Sequence, residues 1–187
     1  MSFCVISDTT DHVADTVHAF QEKLMKIIKE EYPWIKNVIY FSDGAPTKYK
    51  NKNNLANVCC HEQDFGIKVT SYNFFATSHG KSVCDGTGGT IKRKVMRHCI
   101  RSSPDQQVTT PLEFYEYVFR EMKNIRAIWV SDAEVQKHKK KLKKRFDTVK
   151  TIKDTRMNHS FTPINNNSME VRMTSFDKDC KVVKVNL

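Results

Sequence analysis

The stretch "IKNVIYFSDG", residues 35–44, decides how the fold is predicted. Its β-branched and aromatic residues favour a strand over residues 35–41, which stops at the Ser-Asp-Gly turn. Similar patterns occur upstream in "SFCVIS" (2–7) and downstream in "IKVTSYNFFATS" (67–78). The segments between these strands have helical spacing. Because helices make the crossover connections of parallel strands, we predict an α/β fold in which the three strands form a mainly parallel sheet flanked by helices.

The second half of the chain has a different composition, and we place a boundary after residue 103. Residues 1–103 are predicted to form the core, and residues 104–187 a C-terminal α+β extension. In this extension residues 132–149 have the pattern of a basic helix. "MEVRMTSF" and "CKVVKVNL" alternate around "DKD", which predicts a β-hairpin.

The composition limits the possible functions. The chain has 187 residues, 39% of them hydrophobic, so it is too apolar for a disordered protein. It has no apolar run long enough to span a membrane and no secretory signal at its start, which predicts an intracellular protein with reduced cysteines. The net charge is +10, which indicates a polyanionic partner, nucleic acid before an anionic membrane. A basic protein without such a partner is the alternative.

Asp43 follows the apolar run "VIYF" of the second predicted strand. The carboxyl ends of parallel strands form the ligand-binding edge of an α/β sheet, and Gly44 permits an unusual turn there. A carboxylate at this position is suited to a divalent cation. The alternative is that Asp43 caps the helix that follows.

The stretch "HGKSVCDGTGG", residues 79–89, contains four of the six glycines of the chain. Glycines allow a phosphate or another backbone to approach closely. A helix is expected to begin near Thr90, so its positive end would face Asp85 or a bound anion. The residues that offer an acid, an imidazole and phosphate-binding cations here are Asp85, His79, Lys81, Lys92 and Arg93. They suit phosphoryl chemistry, but a glycine-rich turn with solvated charges is the alternative.

Other motifs carry less weight. Asp8 is interpreted as the N-cap of the first helix rather than as another acid of the sheet edge. "HGKS" and "GTGGTI" lack glycines that the phosphate-binding loop and the dinucleotide fingerprint require. A zinc site is conceivable from Cys59, Cys60, His61, His79, Cys84, His98 and Cys99, although buried free thiols are the commoner explanation.

Two blocks of the sequence are similar to a group of transposon-derived proteins that is widespread in invertebrates. They are "YFSDGAPTKYKNKNNLANVCCHEQDFG" (40–66) and "NFFATSHGKSVCDGTGGTIKR" (73–93). "TPLEFYEYV" and "TIKDTRMNHSFTPI" also resemble downstream blocks of that group, so the likeness extends from about Ser2 to Pro163. Lys48 stands where the group usually has Gln. The group resembles DDE transposases and integrases with an RNase H-like core.

This resemblance implies a transposase-like domain that cuts and joins DNA with clustered acids and divalent metal, Mg²⁺ or Mn²⁺. In such a mechanism two metal ions about 3.5–4 Å apart activate the attacking hydroxyl and stabilise the leaving oxygen. Carried over by position, Asp43 and Asp85 are the metal-binding acids, with His79 as a catalytic neighbour. The first acid of the RNase H-like fold and two strands would be missing, so the chain is expected to be a fragment or a decayed copy. A non-catalytic DNA-binding remnant is therefore the alternative function.

The predicted basic helix has an apolar seam at Val135, His138, Leu142, Phe146 and Val149. With a basic chain we expect its outer face to contact DNA phosphates, and the same residues suit a nuclear import signal, which predicts a nuclear location. A solvated face is the other interpretation. The predicted nucleic-acid contacts are Lys48, Lys50, Lys81, Lys92, Arg93, Lys139, Lys140, Lys141, Lys143, Lys144 and Arg145.

Overall fold

A computed structural model describes residues 1–75 and 83–185 of the chain. These residues form six α-helices and seven strands, which confirms the α/β class. In chain order the elements are β1 (Ser2–Ser7), α1 (Ala14–Glu31), β2 (Asn37–Ser42), α2 (Lys52–Cys59), α3 (His61–Phe65), β3 (Lys68–Phe74), α4 (Val83–Arg101), α5 (Pro111–Glu121), β4 (Ile125–Val130), α6 (Asp132–Thr148), β5 (Ser160–Asn165), β6 (Ser168–Arg172) and β7 (Lys181–Lys184). None of the helices in the described ranges is long and apolar enough to cross a membrane.

The chain divides into two compact units, each built from separate stretches of sequence. Unit 1 contains residues 1–10 and 81–134, and unit 2 contains residues 11–80 and 135–187. The boundary predicted after residue 103 separates a core from a C-terminal extension and does not describe these two units. It stays a prediction.

In unit 1 the strand β1 pairs in parallel with β4, from Ser2 opposite Ile125 to Ser7 opposite Val130. Helices α4 and α5 supply the apolar core of this unit. Its buried residues are Ile6, Ile91, Val95, Tyr117, Val118, Met122 and Ala127. The prediction that β1 lies in one sheet with the next two strands was wrong: the apolar pattern marks β1 as a buried strand but does not identify its partner.

In unit 2 the described strands form one five-stranded sheet in the order β2-β3-β5-β6-β7. Only β2 and β3 are parallel, and the other three pairings are antiparallel. The prediction of a mainly parallel, RNase H-like sheet is therefore corrected to a mixed sheet. The reason lies after residue 159, where the chain returns to β3 as an antiparallel meander joined by short turns. The hairpin predicted around "DKD" is confirmed as the β6–β7 pair.

The core of unit 2 lies between this sheet and α2. Fully buried members include Leu55 and Ala56 on α2, and Phe161 and Met169 on the antiparallel strands. Helix α2 begins at an N-cap, Asn51, whose side chain accepts a hydrogen bond from the Asn54 N–H at 2.9 Å. This cap fixes the start of α2, which follows β2 after the connection 43–51 that carries Asp43.

Asp8 caps a different helix from the one predicted. Helix α1 begins at Ala14, after Val13, which makes no side-chain capping bond. Oδ1 of Asp8 instead accepts a hydrogen bond from the Asp132 N–H, the first residue of α6, at 2.6 Å. Because β1 and β4 are parallel, their carboxyl ends lie at the same edge. The residue after β1 therefore reaches the helix that follows β4.

Candidate nucleic-acid interface

Helix α6 is amphipathic, as the sequence predicted. Val135, Leu142 and His138 are 0%, 1% and 7% exposed, and Val149 just after the helix is also buried. Phe146, the remaining residue of the predicted seam, is half-buried. The outer face carries six exposed lysines: Lys137, Lys139, Lys140, Lys141, Lys143 and Lys144.

Three of these lysines have carboxylate partners. The Nζ atom of Lys139 lies 3.1 Å from Asp11, that of Lys141 lies 3.7 Å from Glu22, and that of Lys143 lies 2.9 Å from Asp147. Such exposed pairs are weak and leave the ammonium groups largely hydrated.

The other three lysines, Lys137, Lys140 and Lys144, form no hydrogen bond or ion pair with a described residue. Their spacing of three and four residues places them on one side of the helix. We call them the lysine strip. Seven residues of helix separate its ends, so the strip is about 10 Å long. It is a row of positive charge without counter-charges in the described part of the chain.

Arg145 is also a predicted nucleic-acid contact, but the structure places its guanidinium inside unit 2. Its NH1 and NH2 groups donate to the two carboxylate oxygens of Asp64 at 2.7 and 2.9 Å, and NH1 also donates to Asn57 at 2.9 Å. Burial by itself would raise the pKa of Asp64. Hydrogen bonds from His18 and Arg145 outweigh it, and the pKa is held well below its usual range. The Arg145–Asp64 pair therefore anchors α6 to α3.

A second polar contact anchors α6 to α1. Nδ1 of His138 lies 2.8 Å from Nδ1 of His18, which is fully buried and whose Nε2 donates to Asp64 at 3.0 Å. Nε2 of His138 lies 3.1 Å from Glu22 at the surface. Burial, the largest effect, lowers the pKa of His138. Sequence reasoning missed this network because it interpreted His138 only as part of an apolar seam.

Asp43 lies where the sequence predicted, at the carboxyl end of β2 and beside the parallel β3. It is exposed, and its Oδ1 accepts a hydrogen bond from the Ala45 N–H at 3.4 Å, which closes a tight turn around Gly44. The Ser42 hydroxyl donates to the Asp43 carbonyl at 3.0 Å. The local position of Asp43 is thus fixed by the strand and its turn.

Asp85 lies in the first turn of α4, in unit 1, and is exposed. The helix expected from Thr90 is already present at Val83, so the prediction of its start was wrong. Gly86, Gly88 and Gly89 lie inside this helix, and nothing lies within 4 Å of a Cβ placed at any of them. An acid in the first turn favours a helix through its dipole, which offsets part of the cost of these glycines.

The two predicted metal acids belong to different compact units, Asp43 to unit 2 and Asp85 to unit 1. Their meeting at one sheet edge stays a prediction. His79 and Lys81 lie outside the described residues. Within residues 1–75 and 83–185, no group of three or more His, Cys, Asp or Glu side chains is arranged to hold a metal ion.

The remaining predicted cations differ in their surroundings. Lys92 and Arg93 are exposed on α4, and Lys48 is half-buried. Lys50 turns inward: its Nζ donates to the carbonyl of Arg156 at 2.9 Å and lies 5.4 Å from the centre of the Phe74 ring.

Among the described residues of the alternative zinc site, Cys59, Cys60 and His61 are buried, Cys84 is exposed, and His98 and Cys99 are half-buried. Cys59 and Cys60 are buried free thiols. His61 bonds through both ring nitrogens, Nδ1 to the carbonyl of Ile67 at 2.6 Å and Nε2 to the Tyr40 hydroxyl at 2.8 Å. A nitrogen that donates to a carbonyl is not available to a metal, so this interaction favours a structural role for His61.

The described residues thus form a mixed α/β protein with a basic amphipathic helix. Residues 1–175 match a family described as "Domain of unknown function (DUF8701)". Because the match covers most of the chain, the protein belongs to this family. Neither a curated protein nor a solved structure matches the chain.

Proposed function

We propose that this protein binds DNA through the outer face of α6. The observation that carries the proposal is the lysine strip, whose three ammonium groups have no counter-charge in the described part of the chain, on a protein with a net charge of +10. Lysines bound to phosphates release the counterions of the nucleic acid, which drives association without reading the base sequence.

The geometry of α6 supports this use of the helix. Its apolar side is packed in unit 2, and Arg145 and His138 hold it through buried polar contacts. The lysine strip is therefore presented on a fixed scaffold. Each strand of duplex DNA carries a phosphate about every 3.4 Å of axis, so a strip about 10 Å long spans about three of them.

The resemblance to transposon-derived proteins supports DNA as the polyanion. The same lysines suit recognition as a nuclear import signal, so the proposal includes a nuclear location. An active RNase H-like nuclease is not needed for this function, which corresponds to a DNA-binding remnant of a transposable element.

The test is the salt dependence of DNA binding, measured by fluorescence anisotropy with a labelled duplex. A triple substitution to Gln at Lys137, Lys140 and Lys144 should weaken binding and reduce the slope of log K against log salt by about 2 to 3. The matched control is the triple Gln substitution at Lys139, Lys141 and Lys143, which removes the same charge from the same helix but from lysines that already have carboxylate partners. The control should change the slope less. Equal slopes for both triples would contradict the role of the strip.

A second candidate function is DNA strand cleavage with Asp43 and Asp85, assisted by His79 and dependent on Mg²⁺ or Mn²⁺. The observation that favours it is the exposed carboxylate of Asp43 at the carboxyl end of a parallel strand pair. Carboxylate oxygens are the ligands that these ions prefer. However, the described residues do not complete a group of three metal ligands, so we derive no catalytic step through a metal.

The cleavage candidate is tested by nicking of supercoiled DNA with added Mg²⁺ or Mn²⁺. Asp43→Asn and Asp85→Asn should each abolish nicking, whereas Asp105→Asn, at another exposed acid, should leave it intact. DNA binding without metal-dependent nicking in the unsubstituted protein would exclude cleavage and leave the binding function standing.

A further inference from the structure

A pocket of about 660 Å³ lies in unit 2 beside the turn that carries Asp43. One wall comes from the connection between β2 and α2 together with the start of α2, and the other from residues 151–157. Four basic side chains line it, against the single carboxylate of Asp154 among the lining residues. The basic residues are Lys50, Lys52, Lys153 and Arg156. We call this the basic pocket.

Lys50 is the most informative residue of the basic pocket. The residue is half-buried, and no carboxylate of the described residues pairs with its ammonium group. Its Nζ donates to the Arg156 carbonyl and lies over the Phe74 ring, which uses one of its three N–H donors. Burial lowers the pKa of Lys50, which means that its charge has lost hydration without gaining an anion. A phosphate oxygen would supply the missing counter-charge.

Lys52 adds a second positioned cation. Its Nζ donates to the carbonyl of Val149 at 2.8 Å, so the side chain is held in place and keeps two N–H donors. Lys52 is also the first residue of α2, and its N-cap Asn51 lines the same pocket. The N–H groups of the first turn and the helix dipole increase the positive potential on this side.

The outer rim of the basic pocket is charged and exposed, whereas part of its lining is apolar. Lys153 and Arg156 are both exposed. Pro46, Ile152 and Met157 also line the pocket, and Met157 is 59% exposed. A phosphate next to a sugar and a base has this same combination of a charged and an apolar part.

We propose that the basic pocket binds a phosphate group, and that its source is a phosphodiester of the nucleic acid chain. The phosphate chemistry rests on the pocket alone, whereas the identification of the source rests on the proposed function. The pocket would hold a bound strand beside Asp43, at a site separate from the lysine strip.

The test follows the backbone amide resonances of the full chain by NMR at constant ionic strength. Inorganic phosphate is titrated in one arm and a short single-stranded oligothymidylate in the other, with chloride as the blank. We expect saturable shifts at Asn51, Lys52 and Arg156 in both arms. Lys50→Met and Arg156→Met should each weaken phosphate binding about tenfold, the loss expected for one charge-assisted hydrogen bond. Lys26→Met, at an exposed lysine of α1 outside the pocket, is the matched control and should not change it.

Other outcomes would overturn either the phosphate pocket or its nucleic-acid source. Shifts with phosphate but not with the oligonucleotide would support the phosphate pocket and overturn its nucleic-acid source. An absence of saturable shifts in both arms would overturn the pocket. It would also be overturned if both Met variants bound phosphate as tightly as the unsubstituted protein. If Lys50→Met fails to fold, Arg156→Met at the exposed rim still decides the question. The phosphate arm contains no DNA, so its result is independent of the lysine strip.

Discussion

The Nδ1 atoms of His18 and His138 lie 2.8 Å apart in the interior of unit 2. One nitrogen must donate and the other accept, so only one of the two carries a proton. Nε2 of His18 donates to Asp64, whereas Nε2 of His138 faces Glu22 at 3.1 Å and gains a hydrogen bond when it is protonated. With the His18–His138 and His18–Asp64 hydrogen bonds intact, the two rings together therefore hold two or three protons. A fourth proton would break the contact between the rings.

Acid should destabilise the protein through this network. Burial lowers the pKa of His138 in the folded state, so between that pKa and about 6.5 the unfolded chain binds more protons. Stability should therefore rise with pH across this window and reach its full value above about pH 6.5. Urea unfolding at about pH 5 and about pH 7 measures the difference.

The His138→Gln variant should show a smaller difference between the two pH values than the unsubstituted protein. Burial also lowers the pKa of His61, so His61 contributes in the same direction. Part of the pH dependence should therefore remain in His138→Gln. The control is His12→Gln, at an exposed histidine outside the network. An unchanged pH dependence in His138→Gln would show that the ring pair does not titrate with folding.

Arg145 should matter for stability more than the lysines around it. Asp64 is 7% exposed at its side chain and Arg145 is 17% exposed, so Arg145→Met leaves a buried carboxylate without its main partner. Breaking such a pair costs about 3–5 kcal/mol of unfolding free energy. Lys143→Met, which breaks an exposed pair on the same helix, should cost about 0–1 kcal/mol. Urea denaturation of both variants makes the comparison, and equal losses would contradict the anchoring role of Arg145.

Asp8→Ala should destabilise unit 1 by about 1 kcal/mol, because it removes the acceptor for the first N–H of α6. Asp8→Asn keeps a side-chain oxygen and should lose less. The loss is expected to be moderate since Ser131 and Glu134 also cap this end of the helix. Denaturant midpoints of the two variants give the measurement. If Asp8→Asn and Asp8→Ala lose equal unfolding free energy, the hydrogen bond to α6 is not the source of the stabilisation by Asp8.

Substitutions of the α4 glycines test whether DNA needs close access to the backbone of this helix. Gly86 and Gly89 are exposed and have open space at the Cβ position. Gly→Ala at either site should therefore stabilise the helix by up to about 1 kcal/mol. The melting temperature would rise by about 2–4 °C for a chain of this size. If the bare backbone also serves close approach of DNA, the more stable variants should bind it less tightly in the anisotropy assay, whereas unchanged binding would assign these glycines no role in it.

The sequence by itself determined the elements whose pattern is local. The alternating tail predicted the β6–β7 hairpin, and helical spacing predicted an α6 with a buried seam at Val135 and Leu142. It also placed Asp43 at a strand end. In each case periodicity or a turn signal within a few residues contains the information, because side-chain direction repeats with the backbone geometry.

Only the tertiary structure decided which strands pair and what the charged residues do. Apolar strands look alike, so the partner of β1 depends on long-range packing and on the course of the chain. Arg145 carries the same charge as the lysines beside it, but its position on the helix faces Asp64, to which it donates a hydrogen bond. Helical spacing predicted a helix between the first two strands, but it did not show that the buried side of α1 carries His18, Gln21 and Met25. A polar side chain is buried where a partner from a distant segment satisfies its hydrogen bonds, and that partner is visible only after the chain has folded.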